Sequence, residues 1–201
     1  MKSGCQQKIG WVLGRWQWIN TLVFSSYLFF LPFFSSFSFL FQLGYNHVTD
    51  LGSLNLHMLP ELKVLFVQGN DIVRVEGLNA CYKLRELVMD KNRIKFVDAD
   101  GFSGLTNLRE LRLEENGLRS LSNFNLPNLQ SLYLGLNRVN DLAELDKLSS
   151  IPFLMELSLN SNPVARKQLY RANAIRRLPT LKVSFLVWFG CWPSWPSFFF
   201  F

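Results

Sequence analysis

Apolar positions in the middle of this chain follow a grid that is neither the 3.6-residue period of one helix nor the alternation of one long strand. Aligned on a recurrent Asn, the grid reads Leu62-x-x-Leu65-x-Val67-x-x-Asn70-x-Ile72, then Leu84-x-x-Leu87-x-Met89-x-x-Asn92-x-Ile94. It continues as Leu108-x-x-Leu111-x-Leu113-x-x-Asn116-x-Leu118, Leu129-x-x-Leu132-x-Leu134-x-x-Asn137-x-Val139, and Leu154-x-x-Leu157-x-Leu159-x-x-Asn162. A partial copy, Leu43-x-x-Asn46-x-Val48-x-x-Leu51, precedes them. Successive Asn residues are 24, 22, 24, 21 and 25 positions apart, the length range of repeat architectures.

Within one period, Leu-x-Leu predicts a short strand whose apolar side chains share one face. The Asn predicts a turn, because its amide both donates and accepts and so satisfies backbone groups that the bend removes from a ladder. A return segment follows with apolar residues at every third position, as in Ile72, Val75, Leu78 and Cys81, or Val139, Leu142, Leu145 and Leu148. No single unit can bury its leucines, so the units are expected to stack into a solenoid with one shared core. Asn46, Asn70, Asn92, Asn116, Asn137 and Asn162 would then form a structural ladder along it. Removing a buried member, as in Asn92→Ala or Asn116→Ala, is expected to cost about 1–3 kcal/mol.

On these motifs residues 43–183 resemble the leucine-rich repeat family, in the short intracellular class that includes the nuclear regulatory subunit of protein phosphatase 1, an outer-arm dynein light chain and the spliceosomal A-prime protein. The resemblance implies an α/β repeat: a solenoid with a parallel sheet on its concave face, short helices or 3-10 turns on its convex side, and a helical C-terminal cap. It also implies a piece of a longer repeat protein. Asn162-Pro163, followed by Tyr170-Arg171, Ile175, Leu178-Pro179 and Leu181, is similar to the family's cap, with Pro163 suited to the first turn of a helix. The family's cap usually continues into Leu-Asp, whereas here the pattern stops at Val183-Ser184. The expected organisation is an apolar segment over 1–42, repeats over 43–162, a cap-like segment over 163–183 and an apolar tail over 184–201.

Composition separates the two ends from the middle. All six Trp and fourteen of the nineteen Phe lie in residues 1–42 or 184–201. Residues 16–46 contain no Lys, Arg, Asp or Glu, and residues 18–41 are long and apolar enough for a membrane anchor behind the basic flank of Lys2, Lys8 and Arg15. A second account treats both ends as translated intron. Residues 29–41 hold only Phe, Leu, Pro and Ser, as a pyrimidine tract would encode; they end at Gln42, a CAG codon's product, and Lys182-Val183-Ser184 can be written as a splice-donor string.

The net charge of +6 does not describe the repeats. Residues 43–162 carry twelve Lys and Arg against fifteen Asp and Glu, while residues 163–183 add six bases and no acid. Arg166, Lys167, Arg171, Arg176 and Arg177 are expected to decorate the polar side of the cap, which makes nucleic acid an unfavoured partner, although an RNA-associated scaffold stays open by analogy with the spliceosomal relative. No phosphate-cradling Gly-rich loop follows a strand, and neither His47 nor His57 has a metal-type spacing to another ligand. Cys5, Cys81 and Cys191 form no disulfide framework, and Cys81 on an apolar return position is expected to be a buried thiol. No catalytic residue, metal, cofactor or small-molecule substrate is expected.

Binding through the sheet is what remains. Side chains alternate across a strand, so the residues between the leucines face out of the concave surface. The central row is expected to run Gly44, Phe66, Val88, Arg112, Tyr133 and Ser158, flanked by Val64, Glu86, Glu110, Ser131 and Glu156 on one side and Gln68, Asp90, Glu114, Gly135 and Asn160 on the other. Phe66, Val88 and Tyr133 read as apolar or aromatic anchors rimmed by acids, the anatomy of a protein interface. A partner presenting a basic amphipathic helix would fit. The family resemblance implies a cytoplasmic scaffold, in a cilium or axoneme by dynein light-chain kinship; a membrane location holds only if residues 18–41 are authentic.

Overall fold

The computed structural model describes residues 40–182. Six three-residue strands form one parallel sheet in strict chain order: β1 (Leu40–Gln42), β2 (Val64–Phe66), β3 (Glu86–Val88), β4 (Glu110–Arg112), β5 (Ser131–Tyr133) and β6 (Glu156–Ser158). The register places Phe41, Leu65, Leu87, Leu111, Leu132 and Leu157 in one column. From Leu65 onward that column is buried to 2% exposure or less. Each such leucine contributes about 1.5–3 kcal/mol by leaving water, but only because the rungs above and below cover it.

The returns place Ile72, Val75, Leu78 and Cys81 in the core as their spacing predicts. Most of the convex side is made of turns. Short 3-10 segments occur at Gly52–Leu54, Leu56–Met58 and Pro163–Arg166, and a nine-residue one at Leu142–Ser150. The last begins where the Asp141 carboxylate accepts the Ala143 N–H at 3.1 Å, a side-chain cap of an otherwise open N-terminus.

The Asn ladder is continuous. The Asn92 amide donates to the carbonyls of Val67, Met89 and Asp90 at 3.0, 3.0 and 3.2 Å, and its oxygen accepts the Ile72 N–H at 3.1 Å. Asn70, Asn116, Asn137 and Asn162 repeat this set one rung apart. The Val67, Met89, Leu113 and Leu134 carbonyls therefore each receive two amides, one from their own rung and one from the next. Just before each ladder Asn the chain takes a left-handed residue: Tyr45, Gly69, Lys91, Glu115, Leu136 and Ser161, with φ between 52° and 67°. A second, shorter ladder runs elsewhere in the period, where the Asn107 and Asn128 amides donate to the Tyr82 and Thr106 carbonyls at 2.7 Å.

The C-terminal cap forms as its pattern predicts. Pro163 opens a 3-10 turn, and α1 (Tyr170–Arg177) follows. Val164, Ala174, Leu178 and Leu181 are buried, and the Lys182 N–H bonds the Met155 carbonyl at 2.8 Å, extending the rung-to-rung pattern by one step. Arg177 pairs with Asp146 at 2.9 Å.

Two sequence assignments change. The sheet starts at Leu40, inside the segment assigned to the apolar N-terminal end, because Phe41 fills the inward position of a rung. Gln42, not Gly44, lies opposite Phe66; Gly44 sits beside Gln68, where an added Cβ would come within 2.7 Å of the Gln68 amide nitrogen. Apart from Leu40 and Phe41, the proposed membrane span over 18–41 lies outside the described residues, as do residues 184–201. No helix among the described residues is long and apolar enough to cross a membrane.

Candidate functional site

The strands deliver alternate side chains to the concave face, where Val64, Phe66, Glu86, Glu110, Arg112, Tyr133 and Glu156 are all partly exposed. Gln68, Asp90, Glu114 and Asn160 continue this face one pleat further along. Val88 differs from the anchor role its sequence position suggests: it is 8% exposed. Its short side chain lies between Phe66 and Arg112 in register, so it serves as floor rather than as anchor.

The C-terminal half of this face is internally paired. The Tyr133 hydroxyl and the Ser131 hydroxyl both donate to Glu156 Oε2, at 2.9 and 3.0 Å. Arg112 Nε donates to Asp90 at 3.2 Å, and its guanidinium carbon stands 5.1 Å from the centre of the Tyr133 ring, within range of a cation–π attraction. The other Asp90 oxygen accepts the Glu114 N–H at 2.7 Å. Partial burial, then the hydrogen bond to Glu156, hold the Tyr133 hydroxyl above its ordinary value. Burial works against the Arg112 charge, but the charge and hydrogen bond of Asp90 outweigh it and raise the guanidinium.

The half around β2 to β4 is open by comparison. Glu86 and Glu110 stand opposite each other in register, an arrangement in which like charges repel. Among the described residues neither has a cationic ion-pair partner at salt-bridge distance. Burial first, and the Glu86 charge second, push the Glu110 carboxyl above the usual range. Glu114 is raised likewise, by burial and then by Asp90. The Gln68 side-chain oxygen is buried with no hydrogen-bond partner. A cation set between Glu86 and Glu110 would relieve their repulsion, and Phe66 offers the adjoining apolar contact.

Cys81 is fully buried and its thiol is pushed up to about 11 by desolvation, as an inert core residue. Among the described residues no three of His, Cys, Asp and Glu are grouped to hold a metal ion. His47 Nδ1 lies 3.2 Å from an Asp71 carboxylate oxygen.

Residues 100–186 match the leucine-rich repeat family. The chain is 34% identical over 178 residues to leucine-rich repeat-containing protein 23 of Homo sapiens, an alignment covering 76% of this chain and 49% of that one. It is 42% identical over 143 residues to human leucine-rich repeat-containing protein 36, covering 70% of this chain and 16% of the relative. Over 58 residues it is 48% identical to the U2 small nuclear ribonucleoprotein A' of Schizosaccharomyces pombe, covering 29% and 24%. The chain thus spans about half or less of the length of these curated relatives. Among solved structures, internalin C2 of Listeria monocytogenes shares the fold with a TM-score of 0.57 at 23% identity, covering 75% of this chain and 71% of that one. With its in-order parallel sheet and its unbroken Asn ladder, this chain is a leucine-rich repeat solenoid.

Proposed function

We propose that the chain is a non-catalytic scaffold that binds another protein on its concave sheet, and that the partner presents a basic amphipathic helix. The observation that carries this is the Glu86–Glu110 pair, two carboxylates facing each other in register with no ion-pair partner at salt-bridge distance among the described residues, between the Phe66 and Tyr133 rows. A helix with Lys or Arg on one stripe and Leu on the next supplies both complements. Binding of a designed amphipathic Lys/Leu peptide, followed by calorimetry, tests it. Phe66→Ala with Tyr133→Ala, and separately Glu86→Gln with Glu110→Gln, should each weaken the peptide about 10-fold or more. Unchanged affinity in both pairs, with an unchanged circular dichroism spectrum, removes the concave face as the site. By the resemblance, we place the protein in the short intracellular class beside leucine-rich repeat-containing protein 9, in the cytoplasm and at a cilium or axoneme.

A second reading, an RNA-associated scaffold, is supported by the U2 small nuclear ribonucleoprotein A' relatives from Schizosaccharomyces pombe and Arabidopsis thaliana, the latter 35% identical over 123 residues.

A further inference from the structure

The acids and bases of the repeats nearly cancel in number, yet the fold sorts them onto different faces. Beyond each ladder Asn, side chains alternate outward and inward: Arg93, Ile94, Lys95 on one rung and Gly117, Leu118, Arg119 on the next, with Ile94 and Leu118 fully buried. These segments are held in register, since the Arg93, Gly117 and Arg138 N–H groups bond the Ile72, Ile94 and Leu118 carbonyls at 2.9, 2.9 and 2.8 Å. The outward positions form a flank that carries Arg74, Lys95, Arg119 and Arg138 and continues into Arg166 and Lys167 of the cap turn, all exposed.

None of these six has an acidic ion-pair partner among the described residues. Three acids beside them are engaged elsewhere: Asp71 with Arg93 at 2.7 Å, Glu115 with Lys91 at 3.5 Å, and Asp141 with the Ala143 N–H, while Glu76 and Asp98 lie exposed further along the returns. Gly117 leaves room for the Lys95 stem, whose Cγ lies 3.3 Å from where a Cβ would be. Phe96 follows Lys95 and is 45% exposed; Arg74 holds the equivalent place one rung earlier. Rungs are about 4.8 Å apart, so free bases recur along about 19 Å of one edge, while the concave face carries Glu86, Asp90, Glu110, Glu114 and Glu156.

We propose that this flank is a second binding surface, which takes the phosphate backbone of a single-stranded nucleic acid with Phe96 as a stacking platform for a base. It deepens the RNA-associated reading and rests on it. Arginine forks suit phosphate oxygens, and an exposed aromatic among bases favours a nucleobase ligand over an acidic peptide. Sequence counting set nucleic acid aside because the bases of the repeats are hidden in a negative sum; the flank appears only when the rungs are stacked.

The test uses the full chain and a short fluorescein-labelled oligouridine, read by anisotropy across a salt series. Six phosphate contacts give a log–log slope of about −4, or about 100-fold weaker binding at about 150 mM than at about 50 mM salt. Lys95→Gln with Arg119→Gln should bring the slope to about −3 and weaken binding about 10-fold or more. Phe96→Ala should weaken it with the slope kept. If those variants bind as the unaltered chain does, and Arg171→Gln with Arg176→Gln carries the loss, the flank proposal is wrong while RNA association survives. If oligouridine does not bind, both fail; binding of polyglutamate instead would make an acidic protein the flank's partner.

Discussion

The shared carbonyls of the Asn ladder make a quantitative demand on double mutants. In Asn92→Ala, the Ile72 N–H loses its acceptor, but Val67 keeps the Asn70 amide at 2.9 Å, Met89 keeps the Asn116 amide at 3.0 Å, and Asp90 keeps the Gly69 N–H at 2.8 Å. One orphaned donor costs about 2 kcal/mol. Asn116→Ala likewise strands only the Ile94 N–H, because Leu113 keeps the Asn137 amide. Combining the two leaves the Met89 carbonyl with neither of its amides. The pair should therefore cost about 1–3 kcal/mol beyond the sum of the singles. Asn92→Ala with Asn137→Ala shares no carbonyl and should be additive within about 0.5 kcal/mol. Urea unfolding of the three single and two double variants by far-UV circular dichroism, with constant m values, measures both cycles. A coupling for 92 and 116 no larger than the control would refute the idea that one carbonyl holds two rungs.

Three further outcomes follow from local geometry. Cys81, with its thiol near 11 and no exposure, should resist a thiol reagent at pH 8 in the native chain and react once urea unfolds it; fast native labelling would contradict its burial. Leu136 sits at φ 56° with 54% of its surface exposed, so Leu136→Asn should stabilise by about 0.5–1 kcal/mol and Leu136→Val should destabilise, both read from the urea midpoint. Burial and Glu86 raise the Glu110 carboxyl, so the native state binds that proton more tightly than the unfolded chain. This contribution to stability grows as pH falls through the raised value and is lost as pH rises. Glu110→Gln should raise the midpoint at pH 7 and shrink the gain on mild acidification, and a larger acid-side gain in the variant would reverse the sign.

The strands and the six ladder asparagines were legible because each needs a particular side chain: a leucine to fill the rung, an amide to donate and accept at once. The left-handed step before each Asn was not, since Tyr45, Lys91, Glu115, Leu136 and Ser161 share no property that would announce it; the backbone is forced by its neighbours rather than by the residue. β1 was missed because Leu40, Phe41 and Gln42 close an apolar stretch in which a strand has no contrast. Val88 was misjudged for a different reason. Alternation gives the face on which a side chain emerges, but its depth depends on the longer neighbours Phe66 and Arg112, which only the register supplies. The Glu86–Glu110 contact and the basic flank are likewise products of stacking, invisible along the chain.

A carbonyl that binds the amide of its own rung and of the following one presents the same interface at the top of every period as at the bottom. Excision of one whole period, such as residues 93–116, would bring Asn92 against the rung of Asn137 with the same donors and acceptors in place, whereas removing half a period would strand them. The molecule can thus lengthen or shorten by whole rungs with no new chemistry at the seam, which makes the span of its concave face a quantity that duplication and deletion can adjust in integer steps to the length of a partner.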